Sequence, residues 1–153
     1  MIGESFTESH PQNVLEELRC IFFTFFSFSE DYPDYFKAIM DYETKDSDDQ
    51  TSVTDESKSE CYRLGEQIFG YLSHALQKGV TEESLHSGLE SEQAALILWA
   101  CTIGVFNTGK KKSGYLKNYH LTDLKNFITA SFELIMHLIS RNGGNQHEKE
   151  SED

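Results

Sequence analysis

The sequence predicts an all-α chain folded as a single helical-bundle domain of about five main helices. Three observations carry that prediction. Apolar residues recur at three- and four-residue steps through several long stretches. Two prolines among 153 residues leave long helices unbroken. No segment alternates polar and apolar residues as a half-buried strand does. The length matches one domain, and 11 Phe with 7 Tyr supply more core bulk than a disordered acidic chain carries.

The first helix is expected to start at Ser9-His10-Pro11-Gln12, where Ser9 and Gln12 fit a capping box and Pro11 suits a first turn. Residues 1–10 are then an N-terminal arm and 11–141 the domain. Leu15, Leu18, Phe22 and Phe25 mark one helical face, and Phe23, Phe26 and Phe28 add bulk beside it. A second, short helix begins at Tyr32-Pro33-Asp34, with Asp31 as its cap and Phe36, Ile39 and Met40 facing inward.

Residues 44–58 form an acidic polar loop. A calcium loop at Asp46, Asp48 and Asp49 is rejected, because the turn glycine and the closing Glu are misplaced. The third helix runs from about Ser59 to Lys78, with Cys61, Leu64, Ile68, Tyr71 or Leu72, and Ala75 inward and Lys78-Gly79 as its stop. Gly65 and Gly70 have phosphate-loop spacing, but Tyr71-Leu72 replace the Lys-Ser/Thr pair that loop needs.

Ser91-Glu92-Gln93 open a fourth helix whose segment Ala94–Phe106 is apolar on every side, so it needs cover on every side. A second copy of the chain is the simplest cover. Asn107–Gly114 is expected to be a turn, with Lys110-Lys111-Lys112 a solvated basic loop. The fifth helix spans about Thr122 to Arg141 with two apolar stripes. Leu124, Phe127, Ser131, Leu134 and Leu138 form one; Ile128, Phe132, Ile135 and Ile139 form the other. The last two helices of two chains are expected to form a four-helix-bundle homodimer interface through Ile103, Phe106, Ile128, Phe132, Ile135 and Ile139. Residues 142–153 are a flexible charged tail.

Thirteen Lys and Arg against 26 Asp and Glu give a net charge of −13, which works against a nucleic-acid surface. Cys20, Cys61 and Cys101 are widely spaced, which points to a reducing, cytoplasmic setting and three small core residues rather than a zinc site. The N-terminus lacks the basic region of a signal peptide, and no apolar run is long enough to span a bilayer, so no membrane partner is expected. No catalytic constellation is visible, so the chain is not expected to be an enzyme. Neither a metal nor a cofactor is expected. The metal candidates, Glu83-Ser84-Leu85-His86 and the pair Glu133/His137, fall short of the two Glu-x-x-His motifs a di-iron bundle requires. The remaining signal is an excess of large rings, which can line an apolar cavity. Phe22, Phe26, Phe36, Phe69, Leu72 and Trp99 are the candidate lining between the first four helices, with Tyr35, Tyr71 and His74 as polar handles.

The order of these signals resembles a known family. Phe-x-x-Phe followed by Tyr32-Pro33-Asp34-Tyr35-Phe36-Lys37-Ala38-Ile39 and Tyr42-Glu43 is similar to the first helices of the TetR/AcrR effector domain. Lys78-Gly79-Val80, then Ala94-Ala95, Leu98-Trp99-Ala100 and Gly104, resemble that family's passage into its penultimate helix. The closing Leu/Ile-rich helix ending in Ile139 resembles its final one. The resemblance covers residues 11–141 and implies a bacterial-type transcription regulator's ligand-binding and dimerisation domain, with a small hydrophobic or aromatic effector. The family's helix-turn-helix has no counterpart here, so this chain alone is expected not to bind DNA, as a truncated or stand-alone form. Two alternatives are a helical interaction protein that dimerises with a full-length regulator, and a small metal- or cofactor-binding bundle.

Overall fold

A computed structural model of the chain describes residues 13–43 and 56–141. These residues form six α-helices: α1 (Val14–Asp31), α2 (Pro33–Glu43), α3 (Glu56–Thr81), α4 (Ser91–Lys111), α5 (Ser113–His120) and α6 (Leu124–Ile139). The molecule is an all-α helical bundle. Among the described residues the one extended pairing is an isolated antiparallel bridge between Leu85 and Ser140.

The helix ends show where local sequence governs and where packing overrides it. Asn13 caps α1: the Glu16 N–H donates to its Oδ1 at 2.9 Å. The cap expected at Ser9–Gln12 lies outside the described residues. Asp31 does not cap α2, because α1 runs through it. Tyr32 serves both helices instead, its N–H donating to the Phe28 carbonyl at 2.9 Å and its own carbonyl accepting from the Phe36 N–H at 3.0 Å. Pro33 takes the first position of α2, where no N–H is needed.

Lys78-Gly79 does not end α3, which continues to Thr81. Gly79 is buried, and a Cβ there would lie 2.5 Å from Leu85 Cδ1 and 2.8 Å from Val14 Cγ1. The glycine therefore admits α1 and the α3–α4 connection to close contact. The left-handed residue is Glu83, at φ 60°. Glu90 caps α4, accepting from the Glu92 and Gln93 N–H groups at 3.2 and 2.8 Å.

The turn expected at residues 107–114 is helix, because α4 runs to Lys111 and α5 begins at Ser113. Within the continuing helix, the bare Cα of Gly109 lets Leu124 and Phe127 of α6 come close. Lys110 is no solvated loop residue. Its Nζ donates to the Ser29 carbonyl at 3.1 Å, pairs with Glu30 and stands 5.1 Å from the Phe36 ring centroid. Asp123 caps α6, accepting from the Asn126 N–H at 2.8 Å.

Two core clusters lie end to end. The first joins Val14 and Leu18 of α1, Leu72, Ala75 and Leu76 of α3, Leu85, and Ala94, Ala95 and Leu98 of α4. The second joins Phe22 and Phe25 of α1, Phe36 and Met40 of α2, Ile103 and Phe106 of α4, and Ile128 and Phe132 of α6. Both α1 and α4 enter the first cluster with their N-terminal halves and the second with their C-terminal halves, so they run parallel. Phe106 is fully buried at the middle of the second, with the rings of Phe22 and Phe25 each 5.2 Å away. Among the described residues no helix is long and apolar enough to cross a membrane.

Candidate functional site

A cavity of about 50 Å³, partly open to solvent, lies where the two clusters meet. Leu18, Ile21, Phe22 and Phe25 of α1 form one wall, and Ile68 and Leu72 of α3 a second. Leu98, Trp99 and Thr102 of α4 and Phe132, Ile135 and Met136 of α6 complete it. Helical spacing explains the set: Leu18, Ile21, Phe22 and Phe25 share one face of α1, and Leu98, Trp99 and Thr102 share one face of α4. The lining is carbon except for the Thr102 hydroxyl, the Trp99 indole nitrogen and the Met136 sulfur. That hydroxyl donates to the Leu98 carbonyl at 2.8 Å, so it is already engaged within its own helix.

Of the residues expected to line a pocket, Phe22, Leu72 and Trp99 do so. The others are corrected. Phe36 is buried in the second cluster against Phe25 and Phe106, and Phe26 packs on Phe106 at 5.9 Å. Phe69 packs against the first cluster. Tyr35 and Tyr71 are 70% and 55% exposed, and His74 is exposed, so none of the three polar handles reaches the cavity. Tyr71 precedes Leu72 by one residue, a turn of about 100° around the helix, which carries it away from the wall. The helix set also changes, because α2 contributes nothing to the lining and α6 takes its place. Ile21, Phe25 and Ile68 were legible from spacing, whereas the share of α6 depended on which of its stripes turns inward.

Four of the six residues expected at a dimer seam are corrected as well. Ile103, Phe106, Ile128 and Phe132 belong to the chain's own core. Ile135 and Ile139 are half-buried against the first cluster, and Ile135 also lines the cavity. Beside them, Arg19 of α1 reaches over the Phe132 ring, 5.6 Å from its centroid, to pair with Glu133. The Ile128–Ile139 stripe faces inward; of the other stripe, Leu124 and Phe127 pack against the second cluster and Leu134 and Leu138 face outward. Leu134 and Leu138 are then 60% and 64% exposed. On α4, Leu96 and Ile97 are 57% and 59% exposed, with Ala100, Cys101 and Gly104 beside them. The two helices are antiparallel. Gly109 meets Leu124 and Phe127 at one end, and the His86 N–H donates to the Ile139 carbonyl at the other. Ile97 and Cys101 therefore stand level with Leu138 and Leu134.

The metal candidates are engaged or apart. Glu83 pairs with Arg141 at 2.6 Å, Glu133 pairs with Arg19, and His137 is exposed. Among the described residues no group of three His, Cys, Asp or Glu is placed to hold a metal ion. Asp46, Asp48 and Asp49 lie outside the described residues. Cys20 is half-buried and Cys101 exposed, so the expectation of three core cysteines fails at Cys101. Compared with known proteins, the chain matches no family model, and neither a curated protein nor a solved structure matches it.

Proposed function

We propose that the chain is the effector-sensing and dimerisation module of a TetR/AcrR-like regulator, and that its effector is a compact, uncharged, hydrophobic or aromatic molecule. The observation that carries this reading is the apolar cavity at the junction of the two core clusters. No charged side chain lines it, and its one hydroxyl is spent on a backbone carbonyl. A carboxylate or ammonium entering there would shed its hydration without a partner, at a cost of several kcal/mol. Hydrocarbon and neutral aromatic groups meet no such cost and gain the burial.

At about 50 Å³ the cavity is smaller than the roughly 300–1,000 Å³ of ordinary small-molecule sites, so most effectors would enter by displacing wall side chains. Met136 is unbranched and adaptable, which suits it to that movement. Two of the walls, α4 and α6, carry the exposed apolar strip on their other sides. A ligand that wedges these helices apart would alter the surface on which a second protomer packs. This couples effector to assembly without any charge inside the site. The same strip also favours the second reading, a module that pairs with a full-length regulator.

Trp99 is the chain's single tryptophan and stands in the cavity wall, so its emission reports the site directly. Neutral ligands such as toluene, indole and naphthalene should change that emission and raise the melting temperature, whereas benzoate should not. A ligand at 100 times its dissociation constant adds about 2.7 kcal/mol to stability. If no neutral compound moves either signal, the ring cluster is core alone and the reading fails.

A further inference from the structure

We propose that the corner joining α4 to α6 is a docking surface for an anionic lipid membrane. It consists of the end of α4, all of α5 and the first turn of α6. Half of the chain's ten lysines lie between Lys110 and Lys125, with Asp123 the one acidic residue among them. Lys110 anchors the end of α4 to Glu30, and Asp123 is engaged in capping α6. Lys111, Lys112, Lys117 and Lys125 are exposed and form no ion pair among the described residues. In a chain of net charge −13, this corner is a local inversion of sign.

The same corner holds apolar groups out in water. Tyr115 and Tyr119 are 51% and 76% exposed and stack on each other at 5.2 Å, with the His120 ring 5.0 Å from Tyr115. Leu121 is 92% exposed and sits at φ 54°, in the left-handed region where a leucine is strained and a glycine would not be. Its side chain thus gains nothing from the fold.

An anionic bilayer has a use for all three kinds of group. Lysines reach the headgroups, tyrosines settle at the interface, and an aliphatic tip enters the acyl boundary. A single-stranded nucleic acid would use the lysines and an aromatic face, but it has no use for the aliphatic tip. The acidic remainder of the chain is repelled from an anionic plane, so this corner would lead and set the orientation. No helix crosses the bilayer in this arrangement. It departs from the expectation, drawn from the sequence, of no membrane partner.

The test is co-sedimentation of the full chain with phosphatidylcholine vesicles, with and without phosphatidylserine, alongside a labelled oligouridylate. Binding should require phosphatidylserine and weaken as salt rises. Lys117→Ala and Lys125→Ala should each weaken it about fivefold, the effect of one lysine near an anionic surface. Leu121→Gly relieves backbone strain, so it should weaken vesicle binding while the melting temperature holds or rises. The proposal is overturned by any of three results: no partition onto phosphatidylserine vesicles at low salt, equal partition onto phosphatidylcholine alone, or capture of the oligonucleotide in preference to vesicles. Binding that all three variants leave unchanged would likewise sink it.

Discussion

Glycines with similar helical settings have opposite roles in this bundle, and the difference is decided by what stands opposite each one. A methyl group at Gly79 would meet Leu85 and Val14 at 2.5–2.8 Å, and both are fully buried. Gly79→Ala should therefore destabilise the fold by about 1–3 kcal/mol, the usual effect of overpacking, despite alanine's better helix propensity. At Gly70 nothing lies within 4 Å. Gly70→Ala should stabilise by roughly 0.5–1 kcal/mol. Urea denaturation of the two variants gives the signs, and a stabilised Gly79→Ala protein would contradict the packing described. In sequence, Lys78-Gly79 has the chemistry of a helix stop. Only the third dimension shows that this glycine is needed for approach and that the turn belongs to Glu83. The capping residues Asn13 and Asp123 act through neighbours three positions away, yet the sequence pattern points to caps at Ser9 and Asp31 instead.

At the scale of a helix, α6 shows what periodicity conveys and what it omits. Spacing separates its two apolar stripes correctly but is silent on which one faces the core. Residues distant in sequence decide that, since Phe22 of α1 and Phe106 of α4 share the second cluster with Ile128 and Phe132. The consequence is a contrast between two substitutions on one helix. Phe132→Asp places a charge in the second cluster and should unfold the chain. Leu134→Asp, at a 60% exposed position, should leave the helical signal intact and shift a sedimenting dimer to monomer. A wild-type chain that is already monomeric at micromolar concentration would remove the dimer from the proposed function while leaving the cavity untouched. The helix α5 escaped sequence reading for a related reason: of its eight residues Leu116 alone is buried, too few to set a period.

For the whole molecule, the legible part was helical periodicity and ring content, which led to an all-α bundle with a ring-rich interior. Phe22, Leu72 and Trp99 were found as lining because they lie on faces that must converge. Phe36 and Phe26 were misassigned because a ring on the correct helix is equally suited to the second cluster, which lies beyond the cavity. Charge is the other global property. A net charge of −13 makes the folded chain repel itself, and screening relieves that repulsion. The melting temperature should therefore rise as sodium chloride is raised toward physiological strength and somewhat above. A fall over that range would mean that the pairs at Arg19–Glu133, Lys110–Glu30 and Arg141–Glu83 outweigh the overall repulsion.

The connection between α3 and α4 is tied to the far end of α6. His86 donates its amide to the Ile139 carbonyl at 3.1 Å, and Arg141 donates its own to the Ser84 carbonyl at 3.1 Å. These two amides lie outside the α-helices, and both bonds join the α3–α4 connection to the end of α6. In deuterated water they should exchange slowly and at a common rate, on the timescale of α6 detachment, while the nearby Ser87 and Gly88 amides exchange at once. The end of α6 thus acts as a clasp on a loop more than fifty positions earlier, and its release is one event.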